Sequence, residues 1–251
     1  MSPSAEYLSG YSREELLAIV IAREVRDGEI CASGTLSPIP AAGLYLAVET
    51  SAPNACIMIM GGEPWPFLVG HKECFDLAQR GRLDVFFLSG AQIDRQANIN
   101  LTAIGSYERP KVRLPGGAGS AMLYYMAKRV ILFKTDHDRR GFVDKVDFRT
   151  SAGVVEENIY RPGGPYKVVT PLGVLAFDKA IGELVLESVH PGVGLSEVVS
   201  NTGWPLRIRE PLTVTPVPGE NELHVLRTRV RDRLRSAYPE FAARAFLSAS
   251  E

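Results

Sequence analysis

The sequence predicts an α/β protein built on an open, mostly parallel β-sheet, with helices on both faces and strand-rich additions toward the C-terminal end. Two observations support this fold class. Short runs that are apolar on both strand faces alternate with stretches of helical periodicity, a pattern typical of parallel sheets covered on both sides. The chain has 251 residues, 45% of them hydrophobic, which is enough to bury a sizeable core. We expect a single domain over residues 1–251.

The first half of the chain holds this alternation. Ser12 and Glu15 form a capping box that starts a helix, and Gly28 follows its last periodic position. Pro38 and Pro40 suit the first turn of a second helix, where proline loses no hydrogen bond. The predicted strands are 29–34, 55–60, 84–88, 100–104 and 130–133, and the predicted helices are 13–27, 38–50, 71–82 and 119–129.

Beyond residue 141 the pattern becomes strand-rich, which predicts antiparallel additions near the sheet. These segments are 143–153, 166–178 and 182–191, followed by helices at 195–201 and 223–238. One face of the last helix is basic. We expect its arginines to be solvated or to lie at a subunit contact, with contact to a ligand phosphate as the alternative. They are Arg227, Arg231 and Arg235.

Charge and composition exclude several classes of function. The net charge is −1 and charged residues make up 23% of the chain, so no basic surplus indicates nucleic-acid binding. The polar, acid-containing N-terminus lacks the pattern of a signal or transit peptide, and no apolar run approaches the roughly 20 residues that span a bilayer. We therefore expect a cytoplasmic protein that binds neither nucleic acid nor membrane.

No metal site is expected. The three cysteines lie apart, without ligand spacing, and fit reduced core thiols; they are Cys31, Cys56 and Cys74. His137 lies between two aspartates, but adjacent residues seldom point at one ion. Segment 134–140 is therefore interpreted as a charged, solvated loop.

A polar connection, residues 89–121, directly follows a predicted buried strand. Ligands of open α/β sheets bind at the carboxyl ends of the strands, so Gln92 and Asn98 are candidates for contact with a ligand. The alternative is that such amides, with Asp94, stabilise turns by bonding to nearby backbone groups. The density of polar residues beside a strand end favours a site.

A second candidate is the glycine cluster PGGAGSA, residues 115–121, just before a predicted helix. Glycines there let a ligand approach free backbone N–H groups, which favours a phosphate, a carboxylate or a developing oxyanion. The cluster lacks the Gly-Lys-Ser/Thr of a Walker loop and the full dinucleotide fingerprint. A tight, closely packed turn is the equal alternative. The candidate residues are Gly116, Gly117, Gly119 and Ser120.

Several motifs in one register resemble the β subunits of class I coenzyme A transferases, especially the glutaconate CoA-transferase type. They are GAQID at 90–94, N-I-N-x-T-x-I-G-x-Y-x-x-P-K-x-R at 98–113, FVDKVDFRTSAG at 142–153, VVTPLGVLAFD at 168–178 and VVSNTGW at 198–204. The resemblance runs from about residue 12 to about residue 210. It implies the α/β fold, a homologous α subunit in an α2β2 assembly with the site between the two, an acyl-CoA substrate and no further cofactor.

The resemblance also marks a departure. In transferases of this family a β-subunit glutamate at the end of an early strand attacks the acyl-CoA thioester. Met60 occupies that position in APNACIMIMGG, residues 52–62. A thioether cannot form the acyl anhydride, so we interpret Met60, with Gly61, as part of an apolar binding surface. Glu63 is the alternative nucleophile, although it would need an altered turn to reach the same point.

A class I transferase β subunit that lacks this glutamate resembles the β subunits of actinobacterial hydrolases that open the last steroid ring in cholesterol catabolism. That resemblance implies retro-Claisen opening of a cyclic β-keto acyl-CoA by water. The α subunit would supply the base, the glycine cluster would bind the oxyanion, and Gln92 would hold the pantetheine arm or acyl group. The alternatives are a true CoA transferase β subunit that uses Glu63 and a non-catalytic ligand-binding or scaffold subunit.

Overall fold

The computed structural model describes residues 10–62 and 70–247. The helices are α1 (Arg13–Ala22), α2 (Pro38–Glu49), α3 (His71–Gln79), α4 (Ser120–Met126), α5 (Leu195–Asn201), α6 (Glu220–Val225), α7 (Arg231–Ala237) and α8 (Pro239–Arg244), and a π-helical turn, Leu226–Val230, joins α6 to α7. The strands are β1 (Ile30–Ser33), β2 (Cys56–Ile59), β3 (Val85–Leu88), β4 (Gln92–Ile93), β5 (Ile99–Asn100), β6 (Ala103–Ile104), β7 (Val112–Arg113), β8 (Arg129–Phe133), β9 (Pro165–Val169), β10 (Gly173–Asp178), β11 (Glu183–Val189) and β12 (Arg207–Val214).

The chain divides into two compact units, Met1–Leu68 with Pro216–Glu251, and Val69–Thr215. In the first unit β1 and β2 pair in parallel. In the second, six strands form a mixed sheet in the order β12-β11-β10-β9-β8-β3. The single domain expected over residues 1–251 stays a prediction.

The predicted fold class is confirmed. The pairs β1–β2, β3–β8, β8–β9 and β11–β12 are parallel, whereas β9–β10 and β10–β11 are antiparallel. The antiparallel pairs come from the strand-rich C-terminal part, as expected. Among the described helices, none combines the length and apolar character needed to cross a membrane.

The first unit is built on α1 packed against α2. The predicted capping box is present: the Ser12 hydroxyl accepts from the Glu15 N–H at 3.1 Å, and the Glu15 carboxylate accepts from the Ser12 N–H at 2.7 Å. A Cβ at Gly43 would lie only 2.5 Å from Cγ2 of Ile21. Glycine at this position therefore lets the two helices approach closely.

The expectation for Arg227 is wrong. Its side chain is buried, and Nε donates to Oε1 of Glu15 at 2.7 Å. Residues four apart share a face only in a regular α-helix, and Arg227 lies in the π-helical turn, whose wider turn changes that register. Arg235 lies beyond this turn and is exposed as predicted.

Residues 100–104 do not form a third strand of the sheet. They divide into β5 and β6, which pair separately with β4 and β7. The cause is the Asn100 side chain, whose Oδ1 accepts from the N–H groups of Thr102 at 2.9 Å and Ala103 at 3.2 Å. Such a local bond turns the backbone out of the extended ladder.

Segment 143–153 is also not a strand; its contribution is limited to an isolated bridge between Ile99 and Ser151. Some of its N–H groups donate instead to side chains of the 92–98 region, among them Asp147 N to Gln92 Oε1 at 2.9 Å and Gly153 N to Asn98 Oδ1 at 3.0 Å. β12 and α8 were not predicted. β12 is exposed at nearly every position, so it lacks the apolar pattern by which strands are recognised.

Candidate functional site

Met60 lies in the first unit, directly after β2. Ser33 and Ile59 are paired at the carboxyl ends of the two parallel strands, and Met60 N–H donates to Ser33 O at 3.2 Å. The Met60 side chain is 8% exposed. A strand thus presents a buried thioether at its carboxyl end, and the match of Met60 to the family's nucleophilic glutamate stays a prediction.

The turn after Met60 depends on glycines. Gly61 has φ of +81°, and Gly62 N–H closes the turn on Ile59 O at 3.1 Å. A Cβ at Gly62 would lie 2.9 Å from Cβ of Ala237, so a larger residue would have to displace α7. Glu63, the alternative nucleophile, lies outside the described residues.

Ser33 is a residue that the sequence did not single out. It is fully buried, and within the described part of the chain its hydroxyl has no hydrogen-bond partner. Buried hydroxyls are nearly always bonded, so an unpaired one at a strand's carboxyl end is a candidate for a bond to a ligand or a water molecule. Nothing local distinguishes Ser33 from other strand serines, because its burial comes from packing.

Gln92, in the second unit, is the centre of a hydrogen-bond network. Its Oε1 accepts from Asn100 Nδ2 at 2.7 Å and from Asp147 N at 2.9 Å, and its Nε2 donates to Asp147 Oδ2 at 3.0 Å. The same carboxylate oxygen accepts from Gly105 N at 2.8 Å. The network therefore holds β4, β5 and the 143–153 segment together, and the binding role of Gln92 stays a prediction.

Asp94 and Asn98 form the turn that the alternative interpretation described. Asp94 Oδ1 accepts from Asn98 N at 3.0 Å and its Oδ2 from Asn98 Nδ2 at 3.0 Å. Burial raises the pKa of the Asp94 carboxyl, while the hydrogen bonds from Asn98 partly offset that rise. Asn98 is buried and also accepts from Gly153, so its described contacts are structural.

The glycine cluster does precede a helix, since Gly119 is the N-cap of α4. Two of its N–H groups are used internally: Gly116 N donates to Leu101 O at 2.8 Å and Ser120 N to Gly117 O at 2.7 Å. The N–H groups of residues 117–119 have no acceptor within the described ranges. The loop therefore offers a short run of donors, which an oxyanion requires.

Close packing holds this loop in place. A Cβ at Gly119 would lie 2.3 Å from Cζ of Phe75, and one at Gly117 would lie 2.5 Å from Cγ2 of Thr150. The Ser120 hydroxyl is buried and has no partner in the described part of the second unit. The two interpretations of the cluster are thus compatible, because the turn is tightly packed and still presents donors.

The interpretation of 134–140 as a solvated loop is wrong for two of its residues. Lys134 is 9% and His137 8% exposed. His137 Nδ1 lies 2.9 Å from Thr170 Oγ1, Nε2 lies 3.1 Å from Thr202 Oγ1, and the ring stacks on Phe142 at 4.0 Å. Burial lowers the pKa of His137 to about 4, so the imidazole is neutral at pH 7.

Within the ranges 10–62 and 70–247, no three His, Cys, Asp or Glu side chains cluster closely enough to hold a metal ion.

The coenzyme A transferase family model matches residues 45–201. The chain therefore belongs to the coenzyme A transferase family, as its motifs indicated.

Its similarity to characterised relatives is spread along the chain. It is 37% identical to the B subunit of 3-oxoadipate CoA-transferase from Pseudomonas knackmussii, over 88% of this chain and 94% of the relative. It is 30% identical to the B subunit of glutaconate CoA-transferase from Acidaminococcus fermentans, over 81% and 86%. It is 29% identical to the cholesterol ring-cleaving hydrolase IpdB subunit of Rhodococcus jostii, over 89% and 94%.

Solved structures show the same fold. Glutaconate coenzyme A-transferase from Acidaminococcus fermentans has a TM-score of 0.75 at 27% identity, over 88% of this chain and 95% of that one. The decarboxylase AibA/AibB has a TM-score of 0.73 at 25% identity, over 93% and 98%. The fold is thus shared by proteins named for different reactions, so the reaction has to be argued from the residues of the site.

Proposed function

We propose that this chain is the β subunit of a heteromeric hydrolase that opens the ring of a cyclic β-keto acyl-CoA, in the manner of steroid catabolism. The observation that carries the proposal is Met60, a buried thioether at the position of the family's nucleophilic glutamate. Without a carboxylate there, the acyl anhydride and the enzyme-bound CoA thioester of the transfer reaction cannot form. The similarity to the cholesterol ring-cleaving hydrolase IpdB subunit supports the choice of reaction.

The proposed reaction adds one water to the ring ketone. A base removes a proton from the water, and its oxygen bonds to the ketone carbon. The bond between that carbon and the α-carbon then breaks, and its electron pair becomes an enolate on the thioester. A proton returns to the α-carbon, leaving a carboxylate at one end and an intact CoA thioester at the other. The enolate oxygen needs donors in place before charge develops, and the N–H groups of residues 117–119 suit that role.

The proposal includes a homologous α subunit, in an α2β2 assembly, that supplies the base. The buried acids Glu15 and Asp94 have internal partners, and His137 is buried, neutral and bonded to two threonine hydroxyls. The relatives are themselves named as B subunits, and the decarboxylase is named as a pair, AibA/AibB. No cofactor is required, because water and the thioester carry the chemistry.

The test uses this chain co-purified with its α partner. The complex receives a cyclic β-keto acyl-CoA, with and without an acceptor acid, and the products are identified by mass spectrometry. Gain of one water with CoA still attached, independent of acceptor, supports the proposal. CoA on the acceptor would point to transfer and would overturn the proposal.

The second candidate is a CoA transferase β subunit, because the B subunit of 3-oxoadipate CoA-transferase is 37% identical to this chain. This function needs a nucleophile, and Glu63 is the candidate. A CoA adduct on this chain, cleaved by hydroxylamine and absent in Glu63→Gln, would establish it. If Glu63→Gln abolishes ring opening instead, without any adduct and with the fold intact, the base lies in this chain.

A further inference from the structure

The second unit carries an exposed hairpin whose function the proposed reaction leaves open. We call residues 103–113, which comprise β6, β7 and the turn between them, the basic hairpin. Its strands pair Ala103 with Arg113 and Ile104 with Val112. It contains three cationic side chains and a single acid, Glu108, all exposed. The cations are Arg109, Lys111 and Arg113.

Two aromatic side chains, Tyr107 and Phe148, lie beside the cationic side chains of the basic hairpin. Tyr107 is 51% exposed, and its ring stacks on Phe148 with centroids 5.1 Å apart. The Arg113 guanidinium lies 4.7 Å from the centre of the Tyr107 ring and donates to Tyr107 O at 2.9 Å. Cations beside an exposed aromatic ring match a ligand that combines phosphates with a flat base.

The hairpin is held in a fixed position. Gly105, with φ of +84°, begins its turn and donates to Asp147 Oδ2 at 2.8 Å. Asp147 in turn bonds to the buried Gln92 at 3.0 Å. The acids near the hairpin are therefore engaged: Asp147 by Gly105 and Gln92, and Glu108 by the Ser106 hydroxyl at 2.7 Å. A charged surface held in this way meets a ligand with little ordering cost.

The hairpin leads directly into the glycine cluster. Its ladder continues through Leu114 N to Thr102 O at 3.0 Å and Gly116 N to Leu101 O at 2.8 Å. Gly117 lies four positions after Arg113, so their Cα atoms lie at most about 14 Å apart. The extended pantetheine arm of CoA, which joins a thioester at one end to phosphates at the other, can bridge a distance of that order.

We propose that the basic hairpin binds the phosphoadenosine end of the CoA thioester, with the cations on the phosphates and the exposed edge of the Tyr107 ring against the adenine. This inference rests on the proposed function, in that an acyl-CoA is the substrate. It assigns a positioning role to Arg113, Lys111 and Tyr107, which hold the substrate without touching the reacting atoms.

The test measures binding of CoA and of 3′-dephospho-CoA to the co-purified complex by titration calorimetry. Arg113→Gln weakens CoA binding by about tenfold, as expected for a lost charge-assisted bond to phosphate, and Lys111→Gln weakens it in the same direction. In at least one of these two variants, the difference in affinity between CoA and 3′-dephospho-CoA becomes smaller than in the wild type. Tyr107→Leu weakens the binding of CoA and of 3′-dephospho-CoA by the same factor. Arg139→Gln, an exposed arginine outside the hairpin, is the matched control and leaves both affinities unchanged.

Equal affinity in the wild type and in all three hairpin variants, each with an unchanged thermal midpoint, would overturn the inference. Loss of co-purification with the α partner would also overturn it, because the surface would then belong to the subunit contact. A failure of the hairpin inference can be distinguished from a failure of the proposed function. A wild-type complex that binds CoA but transfers it would refute ring opening and still test the hairpin, whereas a wild type that binds no CoA would refute the proposed function itself.

Discussion

At the scale of single residues, Met60 is the side chain on which the proposed function rests. It is buried at the carboxyl end of β2, and the glycines after it close a turn that a bulkier residue would disrupt. If the predicted register with the family is correct, this backbone presents a nucleophile in the transferases and a thioether here. Under the proposed function, a carboxylate at this one position would supply the missing group.

Met60→Glu is therefore expected to give the chain a nucleophile. Incubation of the co-purified complex with an acyl-CoA should produce a CoA adduct on this chain that hydroxylamine cleaves, seen by intact-protein mass spectrometry. Placing a carboxyl in a buried position should also lower the free energy of unfolding by about 2 kcal/mol. Met60→Gln has the same length without a nucleophile and should form no adduct. A folded Met60→Glu complex that also forms none would show that the register with the family is wrong.

Two buried histidines should make the stability depend on pH. Burial lowers the pKa values of His137 and His190 to about 4 from an ordinary 6.5. The unfolded chain therefore binds more protons between these values. The stabilisation is fully present above pH 6.5 and is lost as pH falls to 4, by about 2–3 kcal/mol for each histidine. Denaturant titrations of the wild type at pH 7 and pH 4.5 should show this fall, and His137→Gln should show a smaller one. An equal fall in that variant would contradict the assignment.

The residue scale also shows where a pattern permits two interpretations. The sequence left Asp94 and Asn98 as either site residues or turn formers, and their described contacts are those of a turn. Asn100 was placed in a strand, although its side chain breaks that strand. The residue type of an amide side chain does not show whether it bonds to a ligand or to its own backbone. Its orientation is fixed only by the segment that packs against it.

At the scale of elements, the helix formed by α6, the π-helical turn and α7 shows how one irregular turn redirects a charged face. The turn places Arg227 against Glu15 of α1. Both side chains are buried, and a second donor bond runs from Arg227 to Gly10 O at 2.6 Å. The ion pair therefore attaches the C-terminal helix to α1 within the first unit.

Arg227→Met should lower the free energy of unfolding by about 3–5 kcal/mol, because it leaves the Glu15 carboxylate buried without its partner. The double variant Glu15→Gln with Arg227→Met should recover part of that loss, since no buried charge remains. Arg235→Met, at an exposed position of the same helix, should change stability by no more than about 0.5 kcal/mol. Denaturant titration measures all three. A similar small effect at Arg227 and Arg235 would show that the pair is not buried in solution.

The first turn of α4 is the second element whose position matters. Gly119→Ala forces Phe75 or the glycine cluster to move, because the new Cβ would lie 2.3 Å from the ring. We expect turnover of the acyl-CoA to fall about 10- to 100-fold with little change in KM, as misplaced oxyanion donors act on the transition state. Gly194→Ala is the matched control, because Gly194 is also the N-cap of a seven-residue helix and has only ordinary contact at 3.6 Å. Equal turnover in the two variants would show that the N–H groups of the glycine cluster do not stabilise the transition state.

At the scale of the whole molecule, the two units present different groups. Among the described residues, the first offers a buried thioether and a buried hydroxyl without a partner, and the second offers backbone donors and the basic hairpin. Neither presents a positioned base among the described residues. A complete reaction therefore needs another source for that group, which is the reason for proposing an α subunit.

This chain alone should turn over no acyl-CoA, and the α partner alone should be equally inactive. Mixing the two should restore ring opening in proportion to the complex formed, measured by mass spectrometry of the products alongside analytical ultracentrifugation. Full activity of the α partner alone would assign this chain a scaffold or ligand-binding role. Full activity of this chain alone would require a base that the described residues do not show.

The sequence by itself determined the features that depend on neighbours along the chain. Alternating apolar runs predicted the strands, Ser12 and Glu15 predicted the start of α1, and the register of APNACIMIMGG placed Met60. Each of these signals lies within a few residues, because helix caps, strand patterns and turns are set by local backbone geometry.

The tertiary structure alone decided which distant groups meet. Gln92 bonds to Asp147 across 55 residues and Arg227 to Glu15 across 212. No local pattern marks either pair, since a polar side chain is satisfied by whatever partner the packing brings to it. Because of those long-range bonds, segment 143–153 is irregular although its sequence predicts a strand. For the same reason Arg227 is buried although its sequence position predicts a solvated side chain. The physical reason is that a buried polar group must be paired, and only the assembled fold supplies the partner.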